Sequence, residues 1–373
     1  MKKIAVYIMR LGLEIIYLFM KLFPAKENKV LFLSRQSDRL TEDFRDTQEL
    51  LLKKRPDAEI VTICHRLEGA GSGGLASFAA TTLRSMYHMA TSSVCVLDAY
   101  WPAVSILHHK KSLTVIQMWH ALGKIKQSGY QTLGKESGRD SDMARLMNMH
   151  KNYDYIIAGG RAWNPFYCKS FDTTEDKLIN CGLPRIDHLL NTAEENRRSV
   201  LGAYPEFKDR TVVLYAPTFR RNIELHWEEL ADRLTEEENV AFIVKGHPNQ
   251  QLVTDNPQVY TCDEFKAVDL LSSCDYLVTD YSAIAIEGAV LSRPTYYYVY
   301  DYEEYREKNG MNIDLFEEMP GCVFRTAGDL AKAIMSGKYN YEALENYRKK
   351  YLPEKLGTST EQITELIIDN MRK

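Results

Sequence analysis

Short apolar runs of strand length alternate with helix-like stretches along the whole chain, and this alternation restricts the fold more than any other feature. In the first half, the strand candidates are residues 30–34, 59–64, 92–98, 113–117 and 154–158. In the second half, they are residues 212–215, 241–245, 275–279 and 295–300. Strands that alternate with helices in this way form parallel sheets with right-handed crossovers. The sequence therefore predicts an α/β protein.

The strand–helix pattern restarts beyond residue 195, which predicts two Rossmann-like domains that face each other across a cleft and are joined by a loop near 182–200. We place the first domain at 28–195 and the second at 196–373. The helices expected between and after the strands are 44–54, 76–89, 226–235, 283–291 and 327–336. Ligands of open α/β sheets gather at the carboxyl ends of the strands, so residues that directly follow strands are the first candidates for chemistry.

The N-terminal segment 4–23 is mostly apolar, but Arg10 and Glu14 interrupt it and no small-residue cleavage site follows. On a helix, its polar residues form one narrow stripe: Lys3, Tyr7, Arg10, Glu14, Tyr17 and Lys21. Residues 1–30 carry six Lys or Arg against two Glu, in a protein of net charge −4. We predict that residues 1–27 form an amphipathic helix on an anionic membrane surface. The alternatives are a helix packed against the protein's own body and a transmembrane span.

Composition excludes several classes of function. The net charge of −4 provides no general attraction to nucleic acid. The seven cysteines are scattered without a C-x-x-C pair, as expected for free thiols in a reducing compartment, and they offer no zinc site. Asp140 and Asp142 have D-x-D spacing, but no strand precedes them, and neighbours such as His108 and His109 point to opposite faces of a strand. We predict neither a metal nor a cofactor.

The first motif with candidate chemistry is QMWH at 117–120, which directly follows a predicted strand. A histidine at a strand end, beside a flexible turn, suits a general base near neutral pH. Lys124 and Lys126 add positive charge close by. The alternative is a structural histidine, so His120 by itself does not establish catalysis.

Two further motifs place polar and cationic groups after strands. In YAPTFRR at 215–221, Thr218 offers a hydroxyl and Arg220 offers a guanidinium that suits bidentate phosphate binding. In VKGHP at 244–248, Lys245 and His247 flank a glycine that lets a ligand approach the backbone closely. Each motif is equally compatible with an ordinary surface loop or strand end.

The strongest candidate is CDYLVTDYSAI at 274–284, where a strand runs directly into a helix. Thr279, Asp280 and Ser282 lie at this junction, and backbone N–H groups at a helix start bind phosphate together with a serine hydroxyl. Glu287 follows on the helix as a candidate ligand for a ribose hydroxyl. The alternative is a conventional helix N-cap that uses Asp280 or Ser282.

The order of these motifs is more specific than any one of them. QMWH, GLPRIDHLL at 182–190, LYAPTFR, VKGHP and DYLVTDYSAI together resemble the CDP-glycerol glycerophosphotransferase family of teichoic acid primases and polymerases, over residues 28–365. The resemblance implies a GT-B-type fold, with the acceptor near the N-terminal domain and the nucleotide on the C-terminal one. The chain departs from the family pattern at Ala121, where a glycine is usual, and in the segment 124–132.

By this resemblance His120 is the base that acts on the acceptor hydroxyl, with Trp119, Lys124 and Lys126 on the acceptor side. His247 is the second catalytic candidate, contacting the donor's phosphates and easing the departure of CMP. The remaining motif residues are implied to bind the donor and its phosphates: Thr218, Arg220, Lys245, Thr279, Asp280, Ser282 and Glu287.

The implied reaction moves glycerol phosphate or a related alditol phosphate from CDP-glycerol or CDP-ribitol to a polyprenyl-diphosphate-linked saccharide, with release of CMP. The product would be a teichoic acid or a capsule-like surface polymer. Because the chain has little beyond two domains and a helix, the resemblance favours a primase-like enzyme on the cytoplasmic face of the membrane. The alternatives are an alditol phosphate polymerase such as a CDP-ribitol ribitolphosphotransferase, a GT-B glycosyltransferase that uses a nucleotide sugar, and a catalytically inactive scaffold at the membrane surface.

Overall fold

The computed structural model describes residues 2–66, 72–136, 138–218, 226–246 and 255–371. The chain divides into two compact units. Unit 1 comprises residues 1–121, 127–187 and 353–373, and unit 2 comprises residues 122–126 and 188–352.

In the described part of unit 1, six parallel strands form one sheet in the order β2-β1-β3-β4-β5-β6. The strands are β1 (Lys26–Ser34), β2 (Glu59–Cys64), β3 (Ser92–Leu97), β4 (Thr114–Gln117), β5 (Tyr155–Ile157) and β6 (Leu178–Ile179). The helices are α1 (Lys2–Met20), α2 (Glu42–Lys54), α3 (Ser72–Thr91), α4 (Pro102–Ile106), α5 (Ser141–Leu146), α6 (Asn164–Phe171), the start of α7 (Pro184–Ala203) and α15 (Ser359–Asn370). The central strands β1, β3 and β4 are buried over most of their length, as expected for a parallel sheet covered on both faces.

The described part of unit 2 contains a second sheet of six parallel strands, in the order β12-β11-β10-β7-β8-β9. The strands are β7 (Thr211–Tyr215), β8 (Val240–Val244), β9 (Val259–Tyr260), β10 (Tyr276–Thr279), β11 (Thr295–Tyr298) and β12 (Val323–Phe324). The helices after α7 are α8 (Trp227–Thr235), α9 (Ala267–Leu270), α10 (Ile284–Val290), α11 (Tyr302–Lys308), α12 (Leu315–Glu318), α13 (Ala327–Met335) and α14 (Tyr341–Tyr351).

The predicted α/β class and the nine predicted strands are confirmed, with ends that differ by two residues or less except at β1, which begins four residues earlier, at Lys26. The predicted loop near 182–200 is wrong, because this stretch forms the 20-residue helix α7. Pro184 opens that helix, where its fixed φ angle favours helix initiation. The chain passes from unit 1 to unit 2 within α7, after Asp187, rather than at the predicted boundary after residue 195.

The segment 181–187 explains why the C-terminal residues belong to unit 1 rather than to the predicted domain 196–373. The carboxylate of Asp187 accepts hydrogen bonds from the backbone N–H groups of Ser359 (3.2 Å) and Thr360 (2.7 Å), at the start of α15. A carboxylate is favoured at this helix end, where N–H groups lack helical partners. Helix α15 packs on α2, where Asp43 forms a bidentate ion pair with Arg185.

Helix α1 lies on unit 1 through its polar stripe. The hydroxyl of Tyr17 donates to Nδ1 of His109 (2.9 Å), whose Nε2 donates to the carbonyl of Val104 (2.7 Å). Burial lowers the pKa of His109 and so favours this neutral ring. Further contacts from the stripe are Lys3 with Asp142, Arg10 with the Leu146 carbonyl, Glu14 with the His108 backbone N–H, and Lys21 with the His108 carbonyl.

The apolar side of α1 therefore faces outward, in the reverse of the usual orientation of a surface helix. Its exposed large side chains include Ile8 (66% exposed), Phe19 (67%) and, just beyond the helix, Leu22 (80%). The alternative prediction, a helix packed against the protein's own body, holds for the polar stripe, whereas the apolar side stays exposed. Among the described residues, no helix has both the length and the apolar character needed to span a bilayer.

We predict that Gly182→Ala destabilises the protein by about 2 kcal/mol or more. Gly182 has a φ angle of +75°, and an added Cβ would lie 2.6 Å from Cδ1 of Ile186 and 2.8 Å from Cγ of Pro353. The measurement is urea unfolding. The matched control is Gly202→Ala in α7, where nothing lies within 4 Å of the new methyl group and a gain of roughly 0.5–1 kcal/mol is expected. Equal effects of the two substitutions would contradict the assigned role of Gly182.

Candidate active site

The candidate residues lie at the carboxyl ends of strands, at or next to the point in each sheet where the strand order changes direction. In unit 1, the strand order reverses direction between β1 and β3, and in unit 2 it reverses between β10 and β7. Open α/β sheets bind ligands outside the carboxyl ends of the strands at such switch points. His120 follows β4, next to the first switch point, whereas Thr218 and Asp280 follow the two strands that flank the second.

The segment after β4 holds the His120 ring in a defined orientation. The buried side chain of Gln117 accepts a hydrogen bond from the Trp119 backbone N–H (2.9 Å) and donates to the carbonyl of Ala99 (3.3 Å). His120 Nδ1 lies 2.9 Å from the carbonyl oxygen of Asp98, at the end of the neighbouring strand β3. Because a carbonyl only accepts, Nδ1 carries the hydrogen and the neutral ring has its lone pair on Nε2. This is the tautomer that a general base requires.

Trp119 supports the His120 ring from one side. The two ring centroids lie 4.2 Å apart, with the rings tilted by 33°, and Phe171 and His150 contact the indole edge-on. Trp119 has a φ angle of +64°, which is rare for a bulky residue and costs roughly 1–3 kcal/mol. Such strained conformations concentrate at functional sites. The predicted contact of Trp119 with the acceptor stays a prediction.

Asp98, at the carboxyl edge of the unit 1 sheet, is a residue that the sequence did not single out. Its side chain is buried, Oδ1 accepts from the backbone N–H of Arg35 (3.2 Å), and Oδ2 has no hydrogen-bond partner among the described residues. Burial raises the pKa of Asp98 to about 6, against the opposing effect of the Ser34 hydroxyl. Its position directly after β3 is the signal that would have identified it.

Lys124 and Lys126 lie in the segment 122–126, which belongs to unit 2. The side-chain amide of Asn312 donates to the carbonyls of both lysines (2.8 and 3.1 Å), and Lys126 forms a β-bridge with Met311. Burial lowers the pKa of Lys124 well below its ordinary value, so this side chain is not the exposed positive charge that the sequence suggested. A role of either lysine on the acceptor side stays a prediction.

At the switch point of unit 2, Asp280 joins the loops that follow β7 and β10. Its buried Oδ1 accepts from the backbone N–H groups of Thr218 (2.7 Å) and Tyr281 (2.6 Å). These contacts give the carboxylate a clear role in positioning the two loops. The alternative prediction of a helix N-cap by Asp280 or Ser282 is wrong: the cap residue of α10 is Ala283, without a side-chain cap bond, and Ser282 Oγ lies only at 3.5 Å from the Ile284 N–H.

The side chains of the other predicted donor ligands differ in their hydrogen bonds. The buried Thr279 hydroxyl donates to the Ala216 carbonyl (2.7 Å), whereas the buried Thr218 hydroxyl has no hydrogen-bond partner among the described residues. Buried polar groups are normally satisfied, so the Thr218 hydroxyl is a good candidate to contact a ligand. Glu287 is buried on α10. The predicted roles of these residues in donor binding stay predictions.

Lys245 follows β8 and donates to the carbonyls of Thr261 (2.9 Å) and Cys262 (3.1 Å), which uses two of the three N–H donors of its ammonium. Arg220 and His247, predicted to bind and to act on the donor, lie outside the described residues. Their roles therefore rest on the sequence.

Within the described ranges, no group of three or more His, Cys, Asp or Glu side chains could hold a metal ion. The D-x-D pair is engaged in other contacts. Asp140 caps α5 by accepting from the Met143 N–H (2.8 Å), and Asp142 pairs with Lys3 (2.7 Å). The seven cysteines are all free thiols.

Two parallel α/β units, each with polar residues at a switch point, define a GT-B-like architecture. The wall teichoic acid polymerase TagF has the same fold, with a TM-score of 0.74 and 18% identity over all of this chain and 98% of that chain. A family model described as CDP-glycerol:poly(glycerophosphate) glycerophosphotransferase matches residues 15–369. The chain belongs to this family.

Two teichoic acid primases in the family are similar over most of their length. The teichoic acid ribitol-phosphate primase of Bacillus spizizenii is 29% identical over 93% of this chain and 92% of its own. The teichoic acid glycerol-phosphate primase of Bacillus subtilis is 26% identical over 76% of each chain.

We predict that stability falls between pH 4 and pH 6 because of Asp98. Its pKa is raised from an ordinary value near 4 to about 6, so the folded state binds the proton more tightly than the unfolded state. The folded state therefore loses stability as pH rises through this window, by roughly 2–3 kcal/mol. The measurement is urea unfolding of the wild type and Asp98→Asn at pH 4, 5, 6 and 7. The stability of the variant relative to the wild type should rise with pH, and parallel profiles would contradict the prediction.

Proposed function

We propose that this protein transfers an alditol phosphate from a CDP-linked donor to a lipid-linked saccharide, with release of CMP, in the synthesis of a teichoic acid or a related surface polymer. The observation that carries the proposal is the His120 ring at the carboxyl edge of its sheet, oriented by the Asp98 carbonyl with its lone pair on Nε2. Membership of the glycerophosphotransferase family supplies the class of reaction.

In the proposed reaction, Nε2 of His120 takes the proton of the acceptor hydroxyl. The acceptor oxygen attacks the alditol-bearing phosphorus in line and forms a new P–O bond. The bond from that phosphorus to the bridging oxygen breaks, and CMP leaves with the electron pair. Phosphoryl transfer depends on positioning and on charge neutralisation more than on covalent catalysis, so a single oriented base with cationic groups around the donor suffices.

The donor is assigned to the switch point of unit 2. The Thr218 hydroxyl, which has no partner in the described ranges, and the loops that Asp280 joins support this assignment. Arg220 and His247 are proposed to neutralise the donor's diphosphate, and His247 to ease the departure of CMP. Lys245, Thr279, Ser282 and Glu287 complete the proposed donor site, as ligands or as supports for them.

A primase-like role, adding one or a few units, is favoured by the ribitol-phosphate primase and the glycerol-phosphate primase among the relatives. Both CDP-ribitol and CDP-glycerol are therefore candidate donors. The acceptor is proposed to be a saccharide on a polyprenyl diphosphate.

We further propose that the protein acts at the cytoplasmic face of the membrane, with α1 lying in the headgroup region. The outward apolar side of α1 and the excess of six Lys or Arg over two Glu in residues 1–30 suit an anionic bilayer. The free thiols are in keeping with a reducing compartment.

We expect CMP to be released from CDP-glycerol or CDP-ribitol only when a short-chain polyprenyl-diphosphate saccharide is present. His120→Ala should lower turnover by about 10²-fold or more, because it removes the general base. Donor binding in that variant should be nearly unchanged, as measured by calorimetry with the CDP-alditol.

Each part of the proposal has its own contrary outcome. No CMP from either donor, together with UDP released from a UDP-sugar, would identify a glycosyltransferase instead. Loss of CDP-alditol affinity in His120→Ala would assign this histidine to donor binding rather than to the acceptor.

We expect the triple substitution Ile15→Gln, Leu18→Gln and Leu22→Gln to weaken binding to anionic vesicles by at least about tenfold, because each side chain loses apolar area buried in the bilayer. The measurement is flotation with phosphatidylglycerol vesicles. Leu40→Gln with Leu52→Gln, exposed apolar residues elsewhere on unit 1, is the matched control. If the folded triple variant floats as the wild type does, α1 is not the membrane contact.

A further inference from the structure

Three arginines from distant parts of the sequence meet around one buried tyrosine in unit 1. Arg35 follows β1 and donates from Nη1 to the carbonyl of Tyr100 (2.8 Å). The guanidinium of Arg139 lies over the Tyr100 ring, 5.0 Å from its centroid. Arg10 of α1 donates to the Leu146 carbonyl, and the Tyr100 hydroxyl donates to the next carbonyl, that of Met147 (3.1 Å). We call Arg10, Arg35 and Arg139 the arginine cluster.

Among the described residues, no carboxylate forms an ion pair with a guanidinium of the arginine cluster. In the described part of the chain, the partners of the three guanidinium groups are backbone carbonyls and an aromatic ring. The acidic side chains nearby are engaged elsewhere, Asp140 as the cap of α5 and Asp142 with Lys3. Asp98 accepts the backbone N–H of Arg35 and its charge acts on Arg35, but in the described part of the chain its carboxylate forms no ion pair with the guanidinium.

The charges of the cluster are held close to one another. The pKa of Arg35 is lowered, first by burial and then by the positive charge of Arg139. Three like charges that are held close together, with only the Asp98 carboxylate beside them, favour the binding of an anion, and guanidinium groups bind phosphate oxygens in bidentate fashion. The cation–π contact with Tyr100 keeps Arg139 in place.

The arginine cluster lies between helix α1, the proposed membrane contact, and His120, the proposed base. Arg10 lies on the polar side of α1, whose apolar side faces outward. Arg35 is linked to His120 through Asp98, which accepts the Arg35 N–H with its carboxylate and the His120 Nδ1–H with its carbonyl. A lipid phosphate at the headgroup level would therefore meet the cluster before its attached saccharide reached His120.

The geometry points to the arginine cluster as the binding site for the diphosphate of the lipid-linked acceptor. This inference rests on the proposed function and adds the residues that hold the acceptor. The chemistry recognised is a phosphate group on a lipid, so an ordinary anionic phospholipid is the competing source. The diphosphate is favoured because it offers two adjacent phosphates to several guanidinium groups, whereas a phospholipid such as phosphatidylglycerol offers one.

The test compares two acceptors that carry the same saccharide, one on a short prenyl diphosphate and one on a neutral alkyl chain. Arg35→Gln and Arg139→Gln should each raise the KM for the diphosphate acceptor roughly ten- to hundredfold, as expected for lost hydrogen bonds to a charged group. The KM for the neutral acceptor and for the CDP-alditol should stay unchanged. Arg198→Gln, an exposed arginine on α7, is the matched control. Arg139 is exposed, so its variant is expected to fold even if Arg35→Gln does not.

Binding of geranyl diphosphate, measured by calorimetry, provides a second arm that needs no turnover. Both variants should weaken it by a similar factor, and flotation with phosphatidylglycerol vesicles should not change. Wild-type affinity for geranyl diphosphate in both variants overturns the inference, as does an equal rise in KM for the two acceptors. Weakened flotation with unchanged diphosphate binding would assign the cluster to phospholipid headgroups and also overturn it. A wild type that binds geranyl diphosphate through these arginines but releases no CMP contradicts the proposed function alone.

Discussion

The parallel direction of the strands is the constraint on which both candidate sites depend. Within each unit, every described strand runs parallel to its neighbours, so the loops that follow the strands leave from one edge. Residues far apart in sequence are brought together there for this reason alone. Asp98 and His120 follow neighbouring strands and share a hydrogen bond, and Thr218 and Asp280 do the same in unit 2. The chemistry of the protein is therefore a consequence of how its sheets are connected.

A second set of contacts ties the chain's last helix to unit 1. Asp187 holds the N-terminus of α15, Arg185 pairs with Asp43 on α2, and Gly182 leaves room for both segments to approach. The motif GLPRIDHLL, which the sequence analysis used only as a family signature, thus has a structural reason for its glycine, arginine and aspartate. The same segment carries the chain into unit 2 through α7.

Helix α1 combines two properties that usually exclude each other. Its polar stripe is used for contacts with its own unit, and its apolar side is left outward. This arrangement costs the protein an exposed apolar surface unless a bilayer covers it. It also places Arg10 on the protein side of the helix, beside Arg35 and Arg139. Membrane attachment and recognition of a lipid-linked acceptor would then depend on one helix.

The sequence by itself determined the α/β class, the longer strands and the motif residues that follow them, because apolar periodicity and strand-end position are local properties. The same strand-end reasoning would have identified Arg35 and Asp98. The two-residue strands β6, β9 and β12 are too short to show a period, and α7 was mistaken for a loop. Only the tertiary structure decided that α1 turns its polar stripe inward, that Lys124 is buried in unit 2, and that Arg10, Arg35 and Arg139 meet at Tyr100. Each of these depends on partners tens of residues away or more, and side-chain spacing along one element carries no information about them.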